Sequence, residues 1–468
     1  MTPETDSHRA PVTLLAGLRS RATVAVSALL TDADPTLLVV AHDLTDVGAG
    51  VVRRIVYDAA GIVEVEAVPL RYGCSACTVR DATPAALVRL AGAYPGRPLL
   101  LALPEAVEPE PVAEAIARWH PAPFMPGTPP SPAIPPSAGA PDAPEPLPAD
   151  PPTPPDQPVL HSIVSEPPSV TVVPRPGAGP ADPPAGSAPG APDAPTVTVR
   201  SVITAVDPEL LLADLGTTDD LADHGLAAGP GDHRTLAEVI ARQVEYADTV
   251  VLCAAPDAPD DLVLTAAAVL RGLAPWARLL QEPGGAGLLR TGRHDLTAPG
   301  TVARGLEGLP VGADYTEHGV TGTVFRSRRP FHPDRLNDAL GPVTDQALRT
   351  RGHCWIATRP DLALVWESAG GGLSIGAHGP WLDALPEDRW ARVSPQRRAL
   401  AAADWNPYYG DRRTELAFVG LGLDVAALHR TLASCLLTDA ELSEGEDGWR
   451  VLVDPFAECF EYAVPDES

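Results

Sequence analysis

The sequence predicts an α/β chain: a parallel sheet with flanking helices, interrupted by a disordered proline-rich insertion and followed by a second, α+β domain. Three observations predict it. Short apolar runs alternate with helical stretches, the pattern of strands covered on both faces by crossover helices. The tract Pro121–Thr196 then breaks this pattern, with 17 prolines in the 40 residues from Pro121 to Leu160. Beyond Gly319 the composition shifts again, and six of the eight tryptophans lie there.

In chain order, Val12–Leu15 reads as a buried strand, Gly17–Arg21 as a loop and Ala22–Leu30 as a helix. Thr36–Ala41 (TLLVVA) is a second apolar strand and His42–Gly50 a loop. Val51–Asp58 reads as helical or a short connector, and Glu64–Leu70 leads into a cysteine turn. A helix is predicted over Pro84–Ala93, with Asp81 or Thr83 as N-cap and proline at its first position, where a missing N–H costs nothing. Arg97–Leu103 is a third strand and Val112–Trp119 a short helix. The Pro121–Thr196 tract cannot bury enough apolar surface to offset its ordering entropy, although the island Val159–Val173 is more apolar. Order resumes with the strand Val197–Val206, the amphipathic helix Thr235–Tyr246, the strand Thr249–Cys253 and the helix Asp261–Leu273. Gln281–Glu317 reads as a loop-rich connection to the second domain.

A net charge of -27 argues against a nucleic-acid footprint, which needs a clustered basic face. No lysine occurs, so all 34 basic residues are arginine and any mechanism needing an ammonium is excluded. Six cysteines without a regular framework fit reduced thiols better than disulfides. The acidic N-terminus is unlike a signal peptide, and no run of about 18 apolar residues marks a membrane span. A soluble, cytoplasmic protein is the expectation.

The chemistry-bearing stretch is YGCSAC, where Cys74 and Cys77 stand two residues apart. Such a pair can ligate one soft metal, close into a small redox ring, or be inert. A helix starting at Pro84 leaves both thiols several residues ahead of it, which weakens dipole support for a thiolate and disfavours the redox reading. The other cysteines have blander readings: packing for Cys354 and Cys253, core for Cys435. Arg412 and Arg413 beside Asp411 and Glu415 read as a salt-bridge network, and Gly370–Gly372 as a hairpin loop.

Four strings, RRPFHPDRL (Arg328–Leu336), WIATRP (Trp355–Pro360), GDRRTELAFVG (Gly410–Gly420) and LLTDAEL (Leu436–Leu442), resemble in that order the C-terminal domain of the CobW-like branch of the P-loop GTPases. PVTLLAGL resembles the strand entering that family's phosphate loop, YGCSACTVRD its cysteine motif, and DHRTLAEVIARQVEYADTVVL the helix and strand before its base-recognition motif. The resemblance implies a P-loop-NTPase-like sheet over residues 1–120 and 197–300, an insertion at 121–196, a connector at 301–318 and a CobW C-terminal domain at 319–460.

It also implies GTP·Mg²⁺ and zinc chemistry, and here the sequence departs. The family's loop needs close-approach glycines, a lysine at the β/γ oxygens and a hydroxyl on magnesium. Gly17 is kept, but Ser20 and Ala22 replace glycines, Thr23 stands at the lysine and Val24 at the hydroxyl. The base-recognition stretch reads Cys253-Ala-Ala-Pro256, and the γ-phosphate sensor glycine is Glu105. The cysteine motif lacks its middle thiol; His42, Asp43 and Asp46 of the neighbouring acidic loop are the candidates to complete a zinc site with Cys74 and Cys77. The expectation is a zinc-binding accessory protein with a degenerate GTPase site, serving a client metalloprotein. A divergent active GTPase and a non-catalytic scaffold are the alternatives.

Overall fold

The computed structural model describes residues 9–119, 196–281, 314–393 and 395–457, with isolated positions between 294 and 304. The insertion expected at 121–196, with its island Val159–Val173, lies outside the described residues except for Thr196, as does most of the connector.

The first sheet has eight strands in the order β4-β3-β2-β5-β1-β6-β7-β8. Its strands are β1 Arg9–Ala16, β2 Leu38–Asp43, β3 Val51–Asp58, β4 Gly61–Pro69, β5 Leu99–Ala102, β6 Thr196–Val206, β7 Thr249–Leu252 and β8 Arg278–Leu280. From β2 to β8 all neighbours pair in parallel, as the buried apolar runs predict, while β3 and β4 add an antiparallel edge. The strand β3 corrects the helical reading of Val51–Asp58. Its pattern has period two: Val52, Arg54 and Val56 share one buried face, and an arginine there obscures the apolar alternation. Arg54 is paid for by Glu66 at 2.9 Å and the Ala82 carbonyl at 3.0 Å.

Helix α1 (Ser20–Ala33) buries Ala22, Val26 and Leu30 against Leu15, Val39 and Ile203 on one face of the sheet. Helices α2 (Ser75–Ala93) and α3 (Pro109–Arg118) cover the other with Leu87, Leu90, Val112 and Ile116. The start of α2 is a second correction. The helix begins at Ser75, capped by Cys74, and carries Pro84 in its interior, at the cost of one backbone hydrogen bond. Helices α4 (Pro208–Gly216), α5 (Leu236–Glu245) and α6 (Asp260–Leu273) build a third cluster that reaches the second sheet through Val320 and Val419.

The second sheet is six-stranded and antiparallel, in the order β13-β12-β11-β14-β10-β9: β9 Tyr315–Glu317, β10 Val320–Ser327, β11 Arg349–Cys354, β12 Leu362–Ala369, β13 Gly372–Pro380 and β14 Thr414–Leu421. Helices α7 (Pro333–Thr344) and α8 (Val425–Cys435) pack on it around Trp366, Phe331 and Phe418. Cys354 and Cys435 are core residues, and Arg412 and Arg413 are buried among Asp383, Asp404 and Glu415. The Gly370–Gly371 turn has positive φ at both residues, and it seats against the first sheet's helices: a Cβ on Gly370 would lie 1.9 Å from the Thr217 carbonyl oxygen.

Ion pairs join the two sheets. Arg242 of α5 meets Glu367 of β12 at 2.7 Å, and on its own side it meets Glu108 at 3.6 Å, which also pairs with Arg234 at 2.7 Å. Arg349 then bonds Glu245 at 2.7 Å and Glu367 at 3.4 Å, and Arg351 reaches the same two carboxylates. Among the described residues no helix is long and apolar enough to cross a membrane.

Candidate functional site

The candidate site lies at the carboxyl ends of β1, β2 and β5, where an open parallel sheet presents its loops. The strand β1 runs into Gly17, whose place only glycine fits: an added Cβ would stand 2.6 Å from the Ala205 carbonyl oxygen. Arg19 is the N-cap of α1, and its guanidinium bonds Asp214 (Nε to Oδ2 3.0 Å), which turns it away as a free cation. The first backbone N–H of the helix, at Ser20, donates to the Glu105 carboxylate at 2.9 Å. A helix N-terminus is an anion site, and here the chain's own carboxylate occupies it. Ala22 is buried in the helix–sheet contact, Thr23 donates its hydroxyl to the Ser20 carbonyl at 3.0 Å, and Val24 points out, 65% exposed.

His42, at the end of β2, borders a cavity of about 490 Å³ that also meets Thr23, Ser27, Tyr57 and Glu105. Both ring nitrogens are buried without a hydrogen-bond partner among the described residues. Burial, reinforced by the nearby Arg54 charge, pushes the imidazole down to about 3, so it is neutral at physiological pH. A folded value below the usual 6.5 means the unfolded chain takes up the proton first. The stability this ring contributes is therefore full above 6.5 and lost as pH falls through about 3. His42→Gln should flatten that acid slope: the urea-stability gap between wild type and variant should narrow or reverse from pH 7 to pH 4. An unchanged gap would contradict the assignment.

Asp43 accepts both the N–H (2.9 Å) and the hydroxyl of Thr45, which hold its carboxyl below the ordinary range, and Asp46 pairs with Arg53. Cys74 and Cys77 are joined to each other as a disulfide, where reduced thiols were expected. They border a separate cavity of about 360 Å³ with Tyr72, Arg80, Glu108, Asp232 and Arg234. The five predicted ligands are thus not brought to one point: His42 and Asp43 face one cavity, the cysteines another, and Asp46 is held by an arginine. Among the described residues no group of three or more His, Cys, Asp or Glu side chains could hold a metal ion.

A further cavity, about 610 Å³, lies between α1 and β7 and is bordered by Arg21, Asp207, Cys253 and Gln281. Burial, with Asp207 nearby, pushes the Cys253 thiol up to about 11. The wall residues Glu108, Asp232 and Arg234 were not singled out by sequence reasoning. Asp232 and Arg234 share one loop, and Glu108, 126 residues before Arg234, meets them only in the fold.

This α/β sheet, with a glycine turn entering its first helix and an antiparallel sheet following, is of P-loop type with an added C-terminal domain. Residues 320–436 match the cobalamin synthesis protein cobW C-terminal domain. The chain is 36% identical over 293 residues to "Zinc chaperone Rv0106" of Mycobacterium tuberculosis, covering 60% of this chain and 68% of that one. It is 30% identical over 267 residues to "Zinc-regulated GTPase metalloprotein activator 1" of Dictyostelium discoideum, covering 54% and 55%. The zinc(II)-bound YjiA GTPase structure from E. coli aligns at 13% identity over 92% of this chain and 99% of its own, with a TM-score of 0.31. The chain belongs to the CobW-like family.

Proposed function

We propose that this chain is a zinc-handling accessory protein that binds zinc through reduced Cys74 and Cys77 and works without a GTP cycle. Residues 1–120 and 197–300 would form the P-loop-like part, and the C-terminal domain at 319–460 would dock a client metalloprotein. The zinc reading is supported by the names of its relatives and by two thiols on one helical turn. Two thiolates leave two positions of a four-coordinate ion open, which suits cargo that must be passed on.

The observation that carries the nucleotide half is the Glu105 carboxylate on the Ser20 N–H. A β- or γ-phosphate would have to displace it and would meet its charge instead of a lysine. With Arg19 committed to Asp214 and Val24 where a magnesium hydroxyl is needed, the residues present do not fit GTP·Mg²⁺.

The test is calorimetric titration of dithiothreitol-reduced protein with zinc and, separately, with GTP·Mg²⁺, repeated on Cys74→Ser/Cys77→Ser. Saturable zinc binding, lost in the double variant, with no heat from GTP, is the expected result. Micromolar GTP binding would overturn the nucleotide half. Zinc binding indifferent to the double variant would overturn the ligand assignment.

A further inference from the structure

The cysteine turn is built as a site that can open and close without disturbing its frame. Cys74 is the N-cap of α2, and its sulfur accepts the Cys77 N–H at 3.1 Å, so both sulfurs stand at the positive end of a 19-residue helix. The turn ahead of it is held in left-handed backbone at Tyr72 (φ 56°) and Gly73 (φ 65°). The opposite wall is tied on independently of the sulfurs. The Ser75 N–H donates to the Ala228 carbonyl at 2.6 Å, and the Ala228 N–H donates to Asp232 at 2.9 Å. Gly229 packs so closely that a Cβ there would stand 2.4 Å from the Gly73 carbonyl oxygen. Both cysteines are half-buried at the cavity between these walls, whereas Cys354 and Cys435 are closed off in the core.

We propose that Cys74 and Cys77 are a reversible dithiol–disulfide centre that exchanges with low-mass thiols, and that its redox state sets the zinc load. The second half rests on the zinc reading given above; the first does not. In reduction, a thiolate of an external dithiol attacks the Cys77 sulfur, forming a mixed disulfide as the Cys74–Cys77 bond breaks. Cys74 leaves as a thiolate facing the Cys77 N–H. The reductant's second thiol then closes on its own sulfur, freeing Cys77, so two electrons and two protons pass to the protein. In the reverse direction, an incoming disulfide takes two electrons from the zinc-bound thiolates. The Cys74–Cys77 bond re-forms, two external thiolates depart, and zinc is released.

The experiment equilibrates the full chain in glutathione buffers from fully reduced to fully oxidised, quenches in acid, alkylates, and weighs the peptide carrying Cys74 and Cys77. The expected result is a concerted change between no label and two labels, reversible from either end. Its counterpart in Cys77→Ser should show no intramolecular disulfide, only single-site glutathione adducts at Cys74. A peptide doubly labelled at every ratio, or unlabelled even in excess dithiothreitol, would overturn the redox centre. The zinc half is read separately, by adding oxidised glutathione to zinc-loaded reduced protein with a chromophoric chelator. Zinc should appear in step with the loss of label. Retention of zinc while the label is lost would overturn the coupling. A reversible redox transition in a protein that never binds zinc would sink the zinc reading and leave the exchange centre standing.

Discussion

Arg349→Met should lower the unfolding free energy by about 3–5 kcal/mol, the usual cost of removing one partner from a buried charge network. Arg349 is 2% exposed on β11, and its fork bonds both oxygens of Glu245, at 2.7 and 2.8 Å. Burial disfavours the charged guanidinium, but Glu245 and Glu367 outweigh that and hold it more firmly protonated than an ordinary arginine. Without Arg349, Glu245 keeps Arg351 at 3.4 Å as its ion-pair partner among the described residues, and a nearly dry carboxylate is left half-compensated. Urea denaturation measures the loss. Glu245→Gln/Arg349→Met should lose less than the sum of the two single changes, since the double variant strands neither charge. A single-variant loss under about 1 kcal/mol would mean the pair behaves like a surface salt bridge.

Gly352→Ala should cost about 3 kcal/mol, at the upper end for overpacking, because the atom it meets cannot move aside. Gly352 pairs with Leu416 across β11 and β14, and an added Cβ would stand 1.9 Å from the Glu415 carbonyl oxygen. Relief would require separating two central strands of the sheet. A thermal melt should show a lower midpoint, and Gly341→Ala, where a Cβ meets open space, is the control. Equal midpoints for the two variants would contradict the close approach.

Much of this architecture was legible. The apolar runs at Val12–Leu15, Thr36–Ala41 and Arg97–Leu103 overlap β1, β2 and β5, because a strand covered on both faces must be apolar throughout. The bounds differ: β2 starts at Leu38 and runs on through His42 and Asp43, read as loop, and β5 is confined to Leu99–Ala102. Two elements were misread for identifiable reasons. Arg54 hides the period-two pattern of β3, since an arginine stands on that buried face only because Glu66 and the Ala82 carbonyl hold its guanidinium. At α2, proline suggested a helix start, whereas the start was set by Cys74, a residue not usually counted as a cap. That error carried a consequence, because it removed both thiols from the helix terminus and with them the case for exchange chemistry. Glu105 was legible as an unwelcome charge; that it would bond the Ser20 N–H was not, since the two lie 85 residues apart. The pairs of Arg349 with Glu245 and Arg234 with Glu108, 104 and 126 residues apart, leave no local signal at all.

The ion pairs between the sheets also act as a gauge of strand alignment. Along β11 the arginines alternate with Thr350 and Gly352, and side chains on a strand alternate between faces. A slip of β11 by one residue would present Thr350 and Gly352 to Glu245 and Glu367, and neither can neutralise a buried carboxylate. Sliding by two would keep one arginine and lose the other. The charges therefore tax every misaligned sheet more heavily than they reward the correct one, and selection among alignments, more than added stability, is what they supply.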